Sequence, residues 1–244
     1  MDTVFLSFGT TEKFSQSVKR IRDEALTSGF FTRVHVLTEN DLEEEFWNSH
    51  KTFIDTNIGF GYFVWKGWIL WKTLETLKDG DILVYADSGC TLSPQGSQRF
   101  NEYLNELKTA CVVGFHYLEN VSPNCGGTDN MWTKMDLLHL FDESFGASGQ
   151  IGATCILLRK SNETLSLAKK WYELSCNYHN IDDSPSIKPN HSSFIAHRHD
   201  QSIFSLVCKE LEYNSPGSVV LHDYMLELQS FQPSFPFWGT RIRR

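Results

Sequence analysis

Residues 81–90 read DILVYADSGC, an apolar run that ends in an acid, a serine and a glycine. A short continuous apolar run is typical of a parallel strand that is buried on both faces. In open α/β sheets, ligands bind at the edge formed by the carboxyl ends of such strands. The stretch therefore predicts a central strand, with Asp87 as a carboxylate at its tip, where a divalent cation and a phosphate can meet.

Length, composition and charge limit the possible classes of protein. The chain has 244 residues, 41% of them hydrophobic and 14% aromatic, and its net charge is −8. We expect one domain, residues 1–244, and not a disordered chain. The acidic balance disfavours a nucleic-acid or anionic-membrane partner. Because the chain lacks a run of about 20 apolar residues and a basic amino terminus, we expect a cytoplasmic protein without stable membrane insertion.

Strand and helix patterns alternate along the chain. Short segments rich in apolar residues predict strands at 4–8, 82–86, 111–115, 153–158 and 219–222, and the segment RVHVL predicts one at 33–37. Apolar residues at helical spacing predict helices at 14–26, 65–77, 161–175 and 199–211, the third with Ser161 as its N-cap. Residues 177–193 are polar and predict a loop over the site. This alternation predicts an α/β fold with a mostly parallel central sheet.

Two charged residues are candidates for a phosphate or metal site. Asp87 is followed by Ser88 and Gly89, small residues that let a ligand approach the backbone, although an acid here also suits a turn or a helix cap. Lys66 lies at the start of the helix at 65–77, where helix dipoles attract anions. We expect it to contact a phosphate, the alternative being an ordinary solvated lysine.

A second group of candidates lies in the carboxyl-terminal half. The stretch 197–202 reads HRHDQS, and Gln201 and Ser202 replace the acid and histidine that a di-zinc hydrolase would need. Asp200 is therefore interpreted as a helix-capping acid or as a general base. His222 lies at the end of the last predicted strand and is either structural or a metal ligand. Gln150 follows a glycine-rich stretch and can hydrogen-bond a sugar hydroxyl.

Several of these motifs together carry a resemblance to a known family. They are residues 62–66 (YFVWK), 79–90 (DGDILVYADSGC), 181–185 (IDDSP) and 197–203 (HRHDQSI). With them, nearly the whole chain resembles GT-A type glycosyltransferases of the group found in large DNA viruses and bacterial polysaccharide clusters. Asp87 matches the last acid of the D-x-D motif of such enzymes. Tyr85 stands where the first acid of that motif would be.

The resemblance implies a single-domain, Rossmann-like GT-A fold and a hexosyl- or pentosyltransferase. The donor would be a nucleotide-diphosphate sugar, UDP- or GDP-linked, with Mn²⁺ or Mg²⁺ on its diphosphate, and the acceptor a glycan hydroxyl. Asp200 would be the base of an inverting transfer, and Asp87 and His222 would hold the metal. The expected acceptor-binding residues are Gln150, Asp182 and His199. The expected donor-binding residues are Ser7, Gly9, Thr10, Lys66, Tyr85, Asp87 and Ser88.

Two other classes of protein remain open from the sequence. A sugar- or nucleotide-binding module without catalysis would have the same donor cavity but would need no base. A metal-dependent phosphohydrolase would use the same aspartates and histidines on a phosphate ester.

Overall fold

The computed structural model describes residues 1–116, 127–223 and 234–242. Its main sheet has six strands in the order β2-β1-β3-β6-β5-β7, and a second sheet pairs β4 with β8. The strands are β1 Thr3–Phe8, β2 Arg33–Leu37, β3 Ile82–Ala86, β4 Thr91–Leu92, β5 Val112–His116, β6 Ile151–Arg159, β7 Val219–Asp223 and β8 Phe237–Trp238.

The main sheet is mixed but mostly parallel, as the sequence predicts. β1 runs parallel to both β2 and β3, and β5 runs parallel to β7. β6 alone is reversed, since it pairs antiparallel with β3 on one side and with β5 on the other. The carboxyl ends of β1 and β3 therefore meet the amino end of β6 at one edge of the sheet.

Helices cover both faces of this sheet. The predicted helices at 14–26, 65–77, 161–175 and 199–211 are confirmed to within a few residues, and Ser161 caps α8 by accepting a hydrogen bond from the amide of Thr164. The helices are α1 Thr11–Thr27, α2 Glu44–Thr56, α3 Ile58–Tyr62, α4 Trp65–Thr76, α5 Ser97–Glu106, α6 Asp129–Trp132, α7 Met135–Leu138, α8 Asn162–Cys176 and α9 His199–Asn214.

Helix α4 packs unusually close to α8 at Gly67. A Cβ atom on Gly67 would lie 2.8 Å from the backbone nitrogen of Tyr172, which is too short for a van der Waals contact. Glycine is therefore required at this crossing of the two helices. The close packing fixes the amino-terminal turn of α4, which carries Lys66, against the interior of the protein.

The segment before α4 has an unusual backbone conformation. The five consecutive residues 59–63 all have positive φ, from 47° to 75°, so α3 is a left-handed turn for most of its length. Three of these residues, Phe60, Tyr62 and Phe63, are not glycine, and the left-handed conformation costs about 1–2 kcal/mol for each such residue. Residues in strained conformations are concentrated at functional sites.

Candidate active site

A cavity of about 830 Å³ opens at the edge of the sheet where β1 and β3 end. Its wall comes from the turn after β1, the turn after β3, the left-handed turn and the carboxyl-terminal segment 234–242. The residues that line it include Gly9, Thr10, Gly59, Phe60, Phe63, Trp65, Asp87, Ser88, Gly239 and Arg241. The predicted donor residues Gly9, Thr10, Asp87 and Ser88 are thus brought together.

The turns after β1 and β3 are held in direct contact. Ser7 is fully buried and donates a hydrogen bond from Oγ to the carbonyl oxygen of Ala86, at 2.7 Å. A Cβ atom on Gly9 would lie 2.9 Å from Oγ of Ser88 and 2.7 Å from a methyl group of Val18. Ser7 therefore lies beneath the cavity and joins the two strands, whereas Gly9 lets the turns meet.

Asp87 receives two partners from beneath the cavity. The hydroxyl of Tyr85 donates to Oδ1 of Asp87 at 2.6 Å, and Nζ of Lys66 lies 3.2 Å from the same oxygen. The side chain of Asp87 is 38% exposed, whereas Tyr85 and Lys66 are buried. Tyr85 and Lys66 thus lie under the cavity and orient the carboxylate of Asp87.

Lys66 also reaches Asp200, at the start of α9. Its Nζ atom lies 2.9 Å from Oδ2 of Asp200 and donates a hydrogen bond to the carbonyl oxygen of Ala153, at 3.2 Å. Asp200 is 7% exposed at its side chain. It does not cap its helix, contrary to one interpretation of the sequence, because Arg198 occupies the cap position and its side chain makes no capping bond.

Burial and neighbouring charges shift the pKa values of Asp200, Lys66 and Tyr85. Burial raises the pKa of the Asp200 carboxyl and the charge of Asp87 adds to the rise, while the ammonium of Lys66 opposes it. Burial by itself would lower the pKa of Lys66, but Asp200 and Asp87 outweigh it and raise that pKa, so the lysine stays charged. Burial, followed by the charge of Asp87, raises the pKa of Tyr85, which remains a neutral hydrogen-bond donor.

The predicted acceptor residues lie in two different environments. Gln150 is buried, and its amide donates to Asp129 at 2.9 Å while its oxygen accepts from Gln201 at 2.7 Å. Asp182 accepts from Lys134, and His199 contacts Oδ1 of Asp183 at 3.0 Å. The structure therefore places Gln150 inside a hydrogen-bond network, Asp182 in the polar loop region before α9, and His199 at the first residue of α9.

His222 lies apart from the Asp87 cluster. Its Nε2 atom is 2.7 Å from Oε2 of Glu106, and its ring packs against Tyr103. Strands β6 and β5 lie between β3 and β7, and three strand spacings of about 4.8 Å separate the two strands by about 14 Å. The structure does not bring His222 and Asp87 to a common metal ion.

The side chains at the cavity would hold a divalent cation only if the phosphates of a bound ligand also coordinated it. Among residues 1–116, 127–223 and 234–242, no cluster of three histidine, cysteine or acidic side chains is placed to hold a metal. Mg²⁺, however, is often bound by one or two carboxylates plus the phosphates of a substrate, with water completing its shell. Asp87 at the cavity wall fits that second arrangement.

Some lining residues were not predicted from the sequence. Lys13 and Arg241 add positive charge to the wall, and Phe8 stacks on Trp65 with ring centroids 4.1 Å apart. Arg241 reaches the site because the amide of Ile242 donates to the carbonyl oxygen of Gly89. The sequence around Arg241 has no pattern that predicts the place of this residue at the cavity. Lys13 lies in the first turns of α1, and from this position the sequence could have predicted its place at the cavity.

The comparisons with known proteins concern the fold. No family profile matches the sequence, and no curated protein matches it. A glycosyltransferase involved in the glycosylation of the major capsid of PBCV-1 matches over 98% of this chain and 93% of its own, at 11% identity and a TM-score of 0.52. Mouse xyloside xylosyltransferase 1 matches over 98% of both chains, at 12% identity and a TM-score of 0.49.

A third solved structure is glucosyl-3-phosphoglycerate synthase from Mycobacterium tuberculosis, in complex with Mn²⁺, UDP-glucose and phosphoglyceric acid. It matches over 90% of this chain and 69% of its own, at 12% identity and a TM-score of 0.46. Among the described residues, no helix is long and apolar enough to cross a membrane. The match to the PBCV-1 enzyme, together with the strand order and the flanking helices, shows that this chain has the GT-A glycosyltransferase fold.

Proposed function

We propose that this protein is a glycosyltransferase that moves a sugar from a nucleotide-diphosphate donor, UDP- or GDP-linked, to a hydroxyl of a glycan acceptor. One observation carries the proposal. In a GT-A fold, the cavity at the carboxyl ends of β1 and β3 has Asp87 on its wall, and Lys66 links Asp87 to a second acid, Asp200. In open α/β sheets, this edge is where nucleotides bind.

The cavity suits a nucleotide-diphosphate in size and lining. Its volume of about 830 Å³ lies within the range of small-molecule sites. The half-buried aromatic side chains of Phe60 and Phe63 offer apolar surface to a nucleobase, and Thr10 and Ser88 offer hydroxyls. Lys13 and Arg241 supply charge for the diphosphate, a role that the sequence assigned to Lys66.

The charge of the wall favours a metal counter-ion. Among its lining residues, Glu12, Glu39, Asp55 and Asp87 are acidic, whereas Lys13 and Arg241 are basic. A diphosphate would therefore enter a site of negative net charge. Mn²⁺ or Mg²⁺, when bound with the donor, would neutralise the charge that develops on the leaving diphosphate, and Asp87 would hold it.

Asp200 is proposed as the general base of an inverting transfer. The acceptor hydroxyl must lose a proton as it attacks the sugar, and a positioned carboxylate accepts it. Asp200 lies one ion pair away from Asp87, so the base and the donor carboxylate belong to one cluster. His199, the first residue of α9, and Asp182, in the loop before it, are proposed to orient the acceptor.

The first experiment is a binding screen with UDP- and GDP-sugars, with and without Mn²⁺ or Mg²⁺, followed by calorimetry. A ligand at 100 times its dissociation constant stabilises the folded protein by about 2.7 kcal/mol, which a thermal-shift assay detects. Asp87→Ala should abolish metal-dependent donor binding. Asp79→Ala is the control, because Asp79 is 84% exposed and precedes β3 at the opposite edge of the sheet.

Each result separates the classes of protein. Unchanged donor affinity in Asp87→Ala would remove Asp87 from the site. Donor binding without release of nucleoside diphosphate, over a range of glycan acceptors, would favour a binding module. Turnover of an aryl phosphate without any acceptor would favour a phosphohydrolase.

A further inference from the structure

We propose that Lys66 is a positioning residue that acts through Asp200, keeping the buried carboxylate ionised and oriented for the acceptor. This inference rests on the proposed transfer reaction and adds to it a residue that does not itself touch the donor. It also replaces the expectation that Lys66 binds a phosphate.

The ammonium of Lys66 is fully engaged inside the protein. Among the described residues, its charged and polar partners are Asp200, Asp87 and the carbonyl oxygen of Ala153, at 2.9, 3.2 and 3.2 Å. An ammonium has three N–H donors, so these contacts use its capacity. The side chain is 4% exposed, and Lys66 is absent from the cavity wall. A phosphate in the cavity would have to break one of these contacts to reach it.

Aromatic rings surround this ammonium and limit its movement. Nζ lies 5.4 Å from the ring centroid of Phe63, 5.7 Å from that of Trp65 and 5.4 Å from that of Tyr85. Cations are attracted to aromatic faces at such distances. Phe63 ends the left-handed turn at residues 59–63, so the strained turn places one of the rings that enclose Lys66.

The two carboxylates depend on Lys66 to different degrees. Asp87 keeps the hydroxyl of Tyr85 as a hydrogen-bond donor and is partly exposed to solvent. Oδ2 of Asp200 is buried, and the contact recorded for it among the described residues is the ion pair with Lys66, at 2.9 Å. A buried carboxylate without a counter-charge takes up a proton and ceases to be a base. Removing Lys66 should therefore affect Asp200 first.

A double-mutant cycle tests this dependence. Lys66→Met should lower the transfer rate at saturating donor by roughly 10- to 100-fold, the range in which members of one ion-pair network couple. The dissociation constant of the donor should change by less than about threefold, because Tyr85 still orients Asp87. In an Asp200→Asn background, Lys66→Met should have almost no further effect on the rate. Lys66→Arg keeps the cation and should retain most of the activity.

Matched controls separate this role from a general packing effect. Lys160 is also buried but lies after β6, at the edge of the sheet opposite the cavity, so Lys160→Met should leave the transfer rate unchanged. If Lys66→Met does not fold, Lys66→Gln takes its place in the cycle, because it removes the charge but keeps a donor for the carbonyl of Ala153.

The outcomes distinguish this inference from the proposed function. A wild-type protein that neither binds a nucleotide-diphosphate sugar nor transfers a sugar overturns the proposed function before any variant is compared. With an active wild type, independent and multiplicative losses in the double variant would overturn the positioning role of Lys66. So would a loss of donor affinity in Lys66→Met as large as the loss of rate, since that result would make Lys66 a donor-binding residue.

Discussion

Tyr85 gives Asp87 a hydrogen-bond donor at the position where the D-x-D motif would have an acid. In that motif, the position of Tyr85 carries the first of the two acids. Tyr85 instead is buried and donates a hydrogen bond to Asp87 at 2.6 Å, while Lys66 lies beside the same oxygen. Since Oδ1 of Asp87 is engaged in this way, a cation is expected to bind tightly only with the diphosphate.

The role of Asp200 as general base can be tested by a substitution that changes one heavy atom of its side chain. Asp200→Asn keeps the shape of the side chain but removes its basicity, so the dissociation constant of the donor should change by less than about twofold. Transfer should fall by roughly 10²–10⁴, the usual contribution of a positioned base. Calorimetry measures the first quantity, and a product assay with a saturating acceptor measures the second.

The stereochemistry of the product provides an independent check on Asp200. NMR assignment of the product anomer, compared with that of the donor, should show inversion. Retention of configuration would contradict the base assignment even if Asp200→Asn were inactive, because a retaining transfer needs no base on that face. Asp79→Asn, far from the cavity, is expected to match the wild type in rate and stereochemistry.

At the scale of elements, the carboxyl-terminal segment 234–242 completes the cavity wall. It pairs through β8 with β4, and Thr240 and Ile242 both donate hydrogen bonds to the carbonyl oxygen of Gly89. Gly89 follows Asp87 by two residues, so this segment closes directly over the turn after β3. Arg241, which has a positive φ of 53°, faces the cavity from this segment.

Arg241 is predicted to bind the diphosphate of the donor. Arg241→Ala should weaken binding of UDP or GDP by roughly 10- to 100-fold, the loss expected when a charge-assisted hydrogen bond is removed. Binding of the bare nucleoside should change little, and Arg241→Lys should recover part of the affinity. Titration calorimetry with each ligand measures these differences. Equal losses for nucleoside and diphosphate would instead indicate that the wall itself had moved.

The crossing of α4 and α8 should be sensitive to a single methyl group. In Gly67→Ala, the added Cβ would lie 2.8 Å from the backbone of Tyr172, so the helices must separate. Overpacking of this kind lowers the free energy of unfolding by about 1–3 kcal/mol. Urea denaturation measures it, with Gly149→Ala as control because a Cβ there meets nothing within 4 Å. Similar stability of both variants would contradict the steric argument.

At the scale of the whole molecule, the strands of the main sheet were the most predictable elements. The bounds 33–37 and 82–86 agree with β2 and β3, although only β3 is a continuous apolar run that is buried throughout, whereas β2 alternates charged or polar residues with apolar ones. Helices α2 and α5 were missed. Their buried residues form narrow stripes, Phe46, His50 and Ile54 in α2 and Phe100 and Tyr103 in α5, within otherwise polar sequence.

The sequence predicted where the candidate site residues lie on the strands and helices, but not which side chains they contact. Asp87 lies at the strand tip and Asp200 in the first turn of α9, as the local patterns indicated. Lys66 and Gln150 also lie at the predicted ends of elements, yet both point into the protein and bind other buried polar groups. Such pairings join residues far apart in sequence, so local patterns cannot predict them.

The stability of the whole domain should fall at acidic pH through its buried histidines. His50 is buried in α2 between the hydroxyls of Tyr172 and Tyr178, each 2.9 Å from a ring nitrogen. Burial lowers the pKa of His50 to about 4, from 6.5. Because the folded-state pKa is the lower one, this contribution is fully present above pH 6.5. It is lost as the pH falls through 4, by about 3 kcal/mol in total.

His197 strengthens the same trend, since burial lowers its pKa to about 3. Asp200 acts in the opposite sense, because its raised pKa gives a contribution that is lost as the pH rises from the unfolded value. Urea unfolding between pH 7.5 and 4, compared between the wild type and His50→Gln, isolates the contribution of His50. In His50→Gln the decline should be shallower than in the wild type, whereas the exposed His191 can be replaced by Gln without effect. Identical declines in all three proteins would show that His50 is not held neutral by the fold, and that the acid sensitivity arises from other groups.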